Sequence, residues 1–259
     1  MSSTHKNYHW RIAGFYFFYF AFVGMFAPYW SLYLQSIHFD AVQIAILLSV
    51  HPLMRTISPG LWGWLADHTG KRLLVVQLAA FGGALSYIGV FFTTDFYGLL
   101  LVLACMGFFW SASMPLVEAT TLTYLGKHSV RYGRIRSWGS VGFILAVLGL
   151  GYAFDHIAIA WILWAGLVIK LGIVVFARQI PPTVVVAHHT DSQSVMGIVL
   201  QPQVLALFGA CFLMAVAHGP YYTFYSIYLV EHGYAKSAVG GLWALGVLCE
   251  IGVFFAMPW

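Results

Sequence analysis

Charged residues are scarce in this chain: Asp, Glu, Lys and Arg make up 8% of its 259 residues, against roughly 25% in a typical soluble domain. So few charges could not keep the surface of a soluble enzyme hydrated. A disordered chain is also excluded, because 61% of the residues are hydrophobic. The sequence contains no basic patch of the kind that binds nucleic acid. The chain must therefore present apolar surface to lipid.

Cysteine is equally scarce. Cys105, Cys211 and Cys249 lie far apart, each inside an apolar run. This spacing gives neither a metal-binding motif nor a disulfide framework. We predict three small, buried apolar side chains and no cofactor. The adjacent His188 and His189 have no third ligand nearby, which favours a solvated linker over a metal site.

Long apolar runs dominate what is present. A helix needs about 20 apolar residues to cross a bilayer, and eight segments satisfy this requirement. They cover residues 11–35, 41–66, 73–92, 97–125, 137–154, 157–177, 203–230 and 238–258. The sequence therefore predicts an all-α, multi-pass membrane protein.

The lysines and arginines set the orientation. With the N-terminus in the cytoplasm, nine of them fall at cytoplasmic ends of the predicted helices and only Lys236 falls in an outside loop. This bias follows the positive-inside rule and sets the orientation. We expect a bacterial-type inner (plasma) membrane protein. Arg55 and Lys170 lie within spans. Lys170 is predicted to snorkel toward the cytoplasmic surface.

The chain contains an internal repeat. An offset of 195 residues places Gly24 on Gly219 and Arg55 on Glu250, on either side of a polar stretch. We predict a six-helix N-terminal half (1–177), a cytoplasmic linker (178–201) and two helices of a C-terminal half (202–259). Two complete copies would need about 390 residues. The sequence therefore predicts eight helices of a twelve-helix protein with repeated halves.

The loop after the second helix carries a motif. It reads GWLADHTGKR over residues 63–72 and resembles the signature loop of the major facilitator superfamily. The gating residues that the resemblance implies are Gly63, Asp67, Gly70, Lys71 and Arg72, with the Asp paired to a basic residue across the bundle. The alternative is a plain turn in which Gly70 supplies a positive φ.

A second stretch resembles helices four and five of lactose-permease-type proton symporters. It comprises PLVEA at 115–119 and YGRIRSWGSVG at 132–142. The resemblance implies that Glu118 and Arg136 form a charged pair that holds the substrate. Around Glu250 the chain is similar to the region of an essential Glu in helix eight. Within the superfamily, the phenylpropionate-permease branch is the most similar, on Arg55, Trp138–Ser140, Ala217–His218, Tyr221–Tyr222, Leu245–Val247 and Glu250.

Four ionisable groups lie deep in predicted spans: Arg55, Glu118, His218 and Glu250. A charge near the bilayer centre costs about 2.5–3.5 kcal/mol, so such groups usually line a cavity. Glu250, an isolated carboxyl in an apolar helix, is the preferred proton carrier, and Glu118 and Arg55 complete the predicted proton-coupling set. Two structural alternatives remain open. Glu118 and Arg136 could form a purely structural ion pair, and Arg55 could bond carbonyls freed by nearby prolines. We interpret His51 as a packing residue.

The seventh helix carries an aromatic face. His218, Tyr221, Tyr222 and Tyr225 lie at i, i+3, i+4 and i+7, so they share one side of a helix. Together with Glu118 and Arg136 they form the predicted substrate site. Tyrosines also anchor helices at membrane interfaces, which is the alternative interpretation.

These observations predict a secondary transporter. We favour proton-coupled symport of a small aromatic carboxylate by alternating access. A sugar or nucleoside symporter is the alternative, and a non-transporting sensor or inactive transporter fragment belongs to another class. The sequence offers no nucleophile–base or metal constellation, so an enzyme is not expected. The expected partners are the substrate, protons and lipid, without nucleic acid, and we expect a monomer.

Overall fold

The described part of the chain forms eight long helices. The computed structural model describes residues 3–126, 131–181, 197 and 199–256. The helices are α1 (Ser3–Ser36), α2 (Ala41–Thr69), α3 (Arg72–Ile88), α4 (Phe96–Leu125), α5 (Tyr132–His156), α6 (Ile162–Gln179), α7 (Pro202–Glu231) and α8 (Lys236–Ala256). Short 3₁₀ turns at Gly89–Phe91 and Ile159–Trp161 follow α3 and precede α6. His188 and His189 of the linker lie outside the described residues.

Each of the eight helices is long and apolar enough to cross a membrane. This confirms the predicted all-α membrane fold and its eight spans. Helix α5 begins at Tyr132, earlier than the predicted start at residue 137. Arg136 therefore lies in the second turn of a helix and not in a loop before it.

Local sequence signals explain several helix ends. Asp40 forms a capping box with Gln43, in which each side chain bonds the other residue's backbone N–H. Before α4, Asp95 accepts a hydrogen bond from the Gly98 N–H at 2.8 Å. The Thr93 hydroxyl and then this N–H hold the pKa of the Asp95 carboxyl below its ordinary value.

Close packing around α1 organises the bundle. α1 lies against α5 and α6, while α4 packs on α2 and α3. Lipid is as apolar as the side chains, so dispersion contacts and small residues must hold these helices together. A Cβ on Gly142 would overlap the Phe17 carbonyl of α1, and one on Gly24 would lie 2.7 Å from the Phe143 carbonyl oxygen of α5. The backbones of α1 and α5 therefore approach more closely than alanines would permit.

The last two helices lean on the N-terminal half. α8 packs mainly on α5, and α7 contacts α1. Cys211 and Cys249, like Cys105 of α4, are exposed, so the prediction of buried cysteines is wrong. The reason is that the outer surface of this bundle is itself apolar, and a cysteine can lie there without being buried by protein.

Lys170 differs most from expectation. It lies in the middle of α6, about 12–14 Å from either end at 1.5 Å per residue. Its side chain is only 3% exposed, and its Nζ lies 3.9 Å from the Phe22 ring centroid and 4.6 Å from that of Trp110. The predicted snorkelling is therefore wrong, because the ammonium points into the bundle and is held on aromatic faces.

Candidate functional site

A cavity of about 440 Å³ lies between the two halves of the bundle. α1 and α5 line it with apolar groups and with Arg136. From the other side, α7 and α8 contribute Tyr221, Tyr222, Trp243 and Glu250. Four of the sequence-predicted site residues thus meet in one cavity, although Arg136 precedes the other three by at least 85 residues.

Arg136 is held by aromatic rings. Its guanidinium carbon lies 3.8 Å from the centroid of the Phe20 ring and 5.7 Å from that of Tyr16. No carboxylate of the described residues lies within ion-pair distance of it. A cation over a ring face is stabilised electrostatically, and its hydrogen-bond donors remain available to a ligand.

Glu118 has a different partner from the one that the resemblance implies. The Tyr132 hydroxyl donates to its Oε1 at 3.1 Å, and no Glu118–Arg136 ion pair is found in the described parts of α4 and α5. Both alternatives for the pair, substrate-holding and purely structural, assumed direct contact. Because α5 begins at Tyr132, this residue lies in the first turn of the helix, and its hydroxyl bonds the Glu118 carboxylate there.

An aromatic cluster forms the wall from α7 and α8. The Trp243 ring centroid lies 5.6 Å from that of Tyr221, 5.7 Å from that of Tyr222 and 6.3 Å from that of Tyr225. Its indole N–H donates to the Ser226 hydroxyl at 3.2 Å, which fixes the ring. Sequence reasoning missed Trp243. The signal was available, because Trp243 precedes Glu250 by seven residues and so shares its face of the helix.

Two predicted members of the aromatic face are peripheral. His218 is exposed, its Nδ1 lies 2.8 Å from the Met214 carbonyl oxygen, and it does not line the cavity. Tyr225 is partly buried behind Tyr221, with ring centroids 4.7 Å apart. His218 and Tyr225 support the wall from outside.

Arg55 is not part of this cavity. It is exposed on α2, and it makes no hydrogen bond to a carbonyl within the described chain, so the structure gives no support to its proposed bonding of proline-freed carbonyls. Its equivalence to Glu250 in the repeat does not bring the two side chains into one site. A role for Arg55 in proton coupling stays a prediction.

An ion pair joins the two helix ends at the motif between α2 and α3. Asp67 in the last turn of α2 pairs with Arg72, the first residue of α3, with 3.7 Å between Oδ1 and a guanidinium nitrogen. Gly70 adopts φ 63°, which the turn requires and which glycine adopts without strain. The geometry shows a turn, while pairing of Asp67 across the bundle is not found among the described residues.

The two halves are joined at one end of the bundle. We call this the outer end, because the positive-inside pattern predicts that the α1–α2, α3–α4, α5–α6 and α7–α8 turns face outward. There Gln35 donates to Glu231 at 2.8 Å. The Asp155 carboxylate accepts hydrogen bonds from the backbone N–H groups of Lys236 and Ser237.

Residues 9–259 match the model of the MFS_1 like family. The chain belongs to the MFS_1 like family. This confirms the resemblance that the motifs carried and the assignment of the chain to a membrane transporter family. Because proteins of this family are transporters, it also confirms the prediction that the chain is not an enzyme.

Curated transporters are similar in sequence to this chain over much of its length. A probable 3-phenylpropionic acid transporter of Escherichia coli (strain K12) is 29% identical over 252 residues, which are 95% of this chain and 65% of the relative. A maltose permease of Geobacillus stearothermophilus is 34% identical over 170 residues, 64% of this chain and 43% of the relative. The chain thus spans less than two thirds of the length of these curated relatives.

A solved structure shows the same fold. The crystal structure of the nucleoside transporter NupG superposes with a TM-score of 0.79 at 18% identity, and covers 97% of this chain and 67% of that one. At this identity the likeness supports the fold alone. The MFS_1 like chain therefore has the helix arrangement of a solved major facilitator transporter.

Proposed function

We propose that the protein is a secondary transporter that carries a small organic acid by alternating access. The observation that carries this proposal is Arg136, a guanidinium that lines the cavity without a carboxylate partner among the described residues. A planar guanidinium binds a carboxylate through two parallel hydrogen bonds. An anionic substrate would therefore complete a site that the protein leaves electrostatically open.

The opposite wall favours an aromatic body on that acid. Tyr221, Tyr222 and Trp243 present three rings to the same cavity, and aromatic rings attract one another in offset or edge-on geometry. The relative in Escherichia coli is described as a probable 3-phenylpropionic acid transporter. A phenyl ring joined to a carboxylate by a short chain would suit both walls.

Glu250 is the proposed proton carrier. It lines the cavity wall opposite Arg136, where a negative carboxylate would repel an incoming anion. Proton uptake would remove that repulsion and a charge that is expensive to move through the membrane. Glu118, bonded to Tyr132, is the second candidate, and the loaded carrier would reorient once one of them is neutral.

The contacts of the outer end support rocking of the two halves about this cavity. Opening toward the outside would break the Gln35–Glu231 and Asp155–Lys236 hydrogen bonds. Closure of the outer end would re-form them. Every wall of the cavity comes from one chain, so a monomer would suffice, in a bacterial-type inner membrane.

A sugar or nucleoside is the second candidate substrate. The maltose permease relative favours it. The Glu118–Tyr132 pair, although outside the lining of the cavity, would offer an acceptor and a hydroxyl to a neutral polyol. The two candidates differ in charge, so a neutral analogue of the acid separates them.

The first experiment measures binding to the purified chain in lipid nanodiscs, by ligand-induced rise of the thermal unfolding midpoint. We compare 3-phenylpropionate with its neutral amide and with 3-cyclohexylpropionate. The acid is expected to bind at least tenfold more tightly than the amide, and Arg136→Gln to abolish that preference. Ser140→Ala, at the same cavity wall, is the matched control. Equal binding of acid and amide by the unaltered protein would contradict anion recognition.

The second experiment measures transport in proteoliposomes. Labelled 3-phenylpropionate, maltose and uridine are offered with and without an inward proton gradient. Accumulation of the acid driven by the gradient is expected, and Glu250→Gln should retain exchange but lose accumulation. Equal uptake with and without the gradient would contradict proton coupling. Binding without any uptake would support the non-transporting alternative instead.

A further inference from the structure

Lys170 is a buried cation that the proposed transport site does not use. It lies at mid-helix in α6, 3% exposed, against the rings of Phe22 from α1 and Trp110 from α4. A Cβ placed on Gly83 of α3 would lie 3.9 Å from its Nζ. No carboxylate in the described chain forms an ion pair with it. The side chain therefore lies inside the N-terminal half, away from the cavity between the halves.

A second basic group shares the same surroundings. The His51 imidazole of α2 stacks on Trp110, with ring centroids 4.3 Å apart and planes inclined by 23°. Its Nδ1 is buried and has no hydrogen-bond partner among the described residues. His51 packs as expected, but it is not a satisfied packing residue. An imidazole nitrogen with a free lone pair is a proton acceptor.

The other titratable and charged groups described near Lys170 and His51 supply no compensating negative charge. Arg55 follows His51 by four residues on α2, about one helical turn, and Lys170 faces the same Trp110 ring as His51. Tyr19 of α1 packs on Trp110, and the Tyr87 hydroxyl of α3 donates to the Ile162 carbonyl of α6. No carboxylate of the described residues lies within ion-pair distance of these positive charges.

We infer that Lys170 is a proton-exchange site within the N-terminal half, with the His51 imidazole as a second basic group on the same Trp110 ring. In the exchange step an N–H bond of the Lys170 ammonium breaks, the proton passes to water, and the neutral amine keeps the electron pair. The reverse step restores the ammonium. The aromatic faces of Phe22 and Trp110 stabilise the charged form, and the apolar surroundings tolerate the neutral one.

Lysine chemistry fits this role better than a fixed charge does. An Arg stays protonated at any pH at which proteins fold, whereas a Lys exchanges its proton readily when buried. A permanent cation at this depth costs about 2.5–3.5 kcal/mol, and the neighbouring positions of α6 are apolar. A Met would fill the same volume without that cost. The role in proton-coupled transport rests on the proposed function, whereas the exchange itself does not.

The deciding experiment reads the protonation directly. The chain has five lysines, and in protein with ¹³Cε- and ¹⁵Nζ-labelled lysine, Lys170→Met identifies the signal of Lys170 by its loss. We expect this signal to pass between ammonium and amine positions within the pH range in which the other four stay as ammonium. His51→Gln should move the pH of that transition, and His156→Gln, at the outer end, should not. A signal that follows the other four lysines would overturn the inference.

Transport variants provide the second readout, in the proteoliposome assay above. If Lys170 must release its proton, both Lys170→Arg and Lys170→Met should bind 3-phenylpropionate within threefold of the unaltered protein but fail to accumulate it. An active Lys170→Arg would reveal a fixed cation, and an active Lys170→Met a packing residue; either result overturns the inference. Should the variants fail to fold, the five lysine signals of the unaltered protein still decide it, because four must behave alike and one differently.

Discussion

Asp155 and Lys236 cap each other's helices across the boundary between the two halves. The Asp155 Oδ1 accepts a hydrogen bond from the Lys236 backbone N–H at 2.7 Å, at the first residue of α8. In return the Lys236 ammonium donates to the Phe154 carbonyl in the last turn of α5, at 3.0 Å. A carboxylate at a helix N-terminus and a cation at a C-terminus are each favoured by the helix dipole. Two charges thus hold the outer ends of α5 and α8 together.

Asp155→Ala should loosen this junction. Loss of a capping carboxylate typically costs about 0.5–2 kcal/mol, and the α5–α8 contact should become longer and more variable. Spin labels at Tyr152 and Leu242, both exposed, in a cysteine-free background report the distance between the two helices. A broader and longer distance distribution is expected.

The matched control is Asp95→Ala, which removes a capping carboxylate within the N-terminal half. It should lower thermal stability without changing the distance between α5 and α8. If Asp155→Ala leaves that distribution unchanged, the two charges do not hold the junction.

Gly142→Ala should separate α1 from α5. The added Cβ would overlap the Phe17 carbonyl, and because the obstacle is backbone, no rotamer change can relieve it. Overpacking of this kind typically costs about 1–3 kcal/mol. Gly149→Ala is the control on the same helix, since its Cβ would enter open space. Gly142→Ala should unfold at a lower concentration of denaturing detergent than Gly149→Ala. Equal stability of the two variants would contradict the close approach of the helices.

Tyr132→Phe should weaken acid binding. Without its hydroxyl, Glu118 loses the hydrogen bond seen at 3.1 Å and becomes free to turn toward Arg136, which it would neutralise. The affinity for 3-phenylpropionate is expected to fall about tenfold, which corresponds to ~1.4 kcal/mol, while binding of the amide should hardly change. Tyr152→Phe, on the exposed face of α5, is the control. An equal loss for acid and amide would show that Tyr132 supports the site only by packing.

Thr93→Val should flatten the acid dependence of stability near the start of α4. The Thr93 hydroxyl is the largest cause of the lowered pKa of Asp95. A carboxyl with a lowered pKa in the folded state stabilises the fold above its unfolded pKa of about 3.9 and loses that contribution as the pH falls through the folded value. The thermal midpoint should therefore fall less below about pH 4 in Thr93→Val than in the unaltered protein. Thr123→Val, whose hydroxyl bonds only its own helix, should leave the acid dependence unchanged.

Several features of the protein were readable from single residues and their spacing. The eight spans follow from the length of the apolar runs, because the bilayer sets the length of a helix. The turn at Gly70 and the cap at Asp40 follow from local backbone chemistry. Helical spacing put Tyr221 and Tyr222 on one face, and the family resemblance added Arg136 and Glu250, which line the same cavity.

Other features were decided by tertiary structure. The direction of Lys170 could not be read from α6, since a lysine at mid-helix can point to lipid or inward, and only the rings of Phe22 and Trp110 supply the inward partner. The partner of Glu118 depended on where α5 begins, a boundary that propensity leaves uncertain by several residues. Trp243 joined the site because α8 packs mainly on α5 while the Trp243 ring meets the tyrosines of α7.

The sequence by itself determined that this chain spans a membrane with eight helices. Its apolar runs are long enough to cross a bilayer, and its few cations lie mostly on one side, which leaves no other stable state. Only the tertiary structure decided which charges meet. Ionisable groups inside a bilayer pair through contacts between helices far apart in the chain, and those contacts depend on helix rotation and close packing that a one-dimensional pattern does not encode.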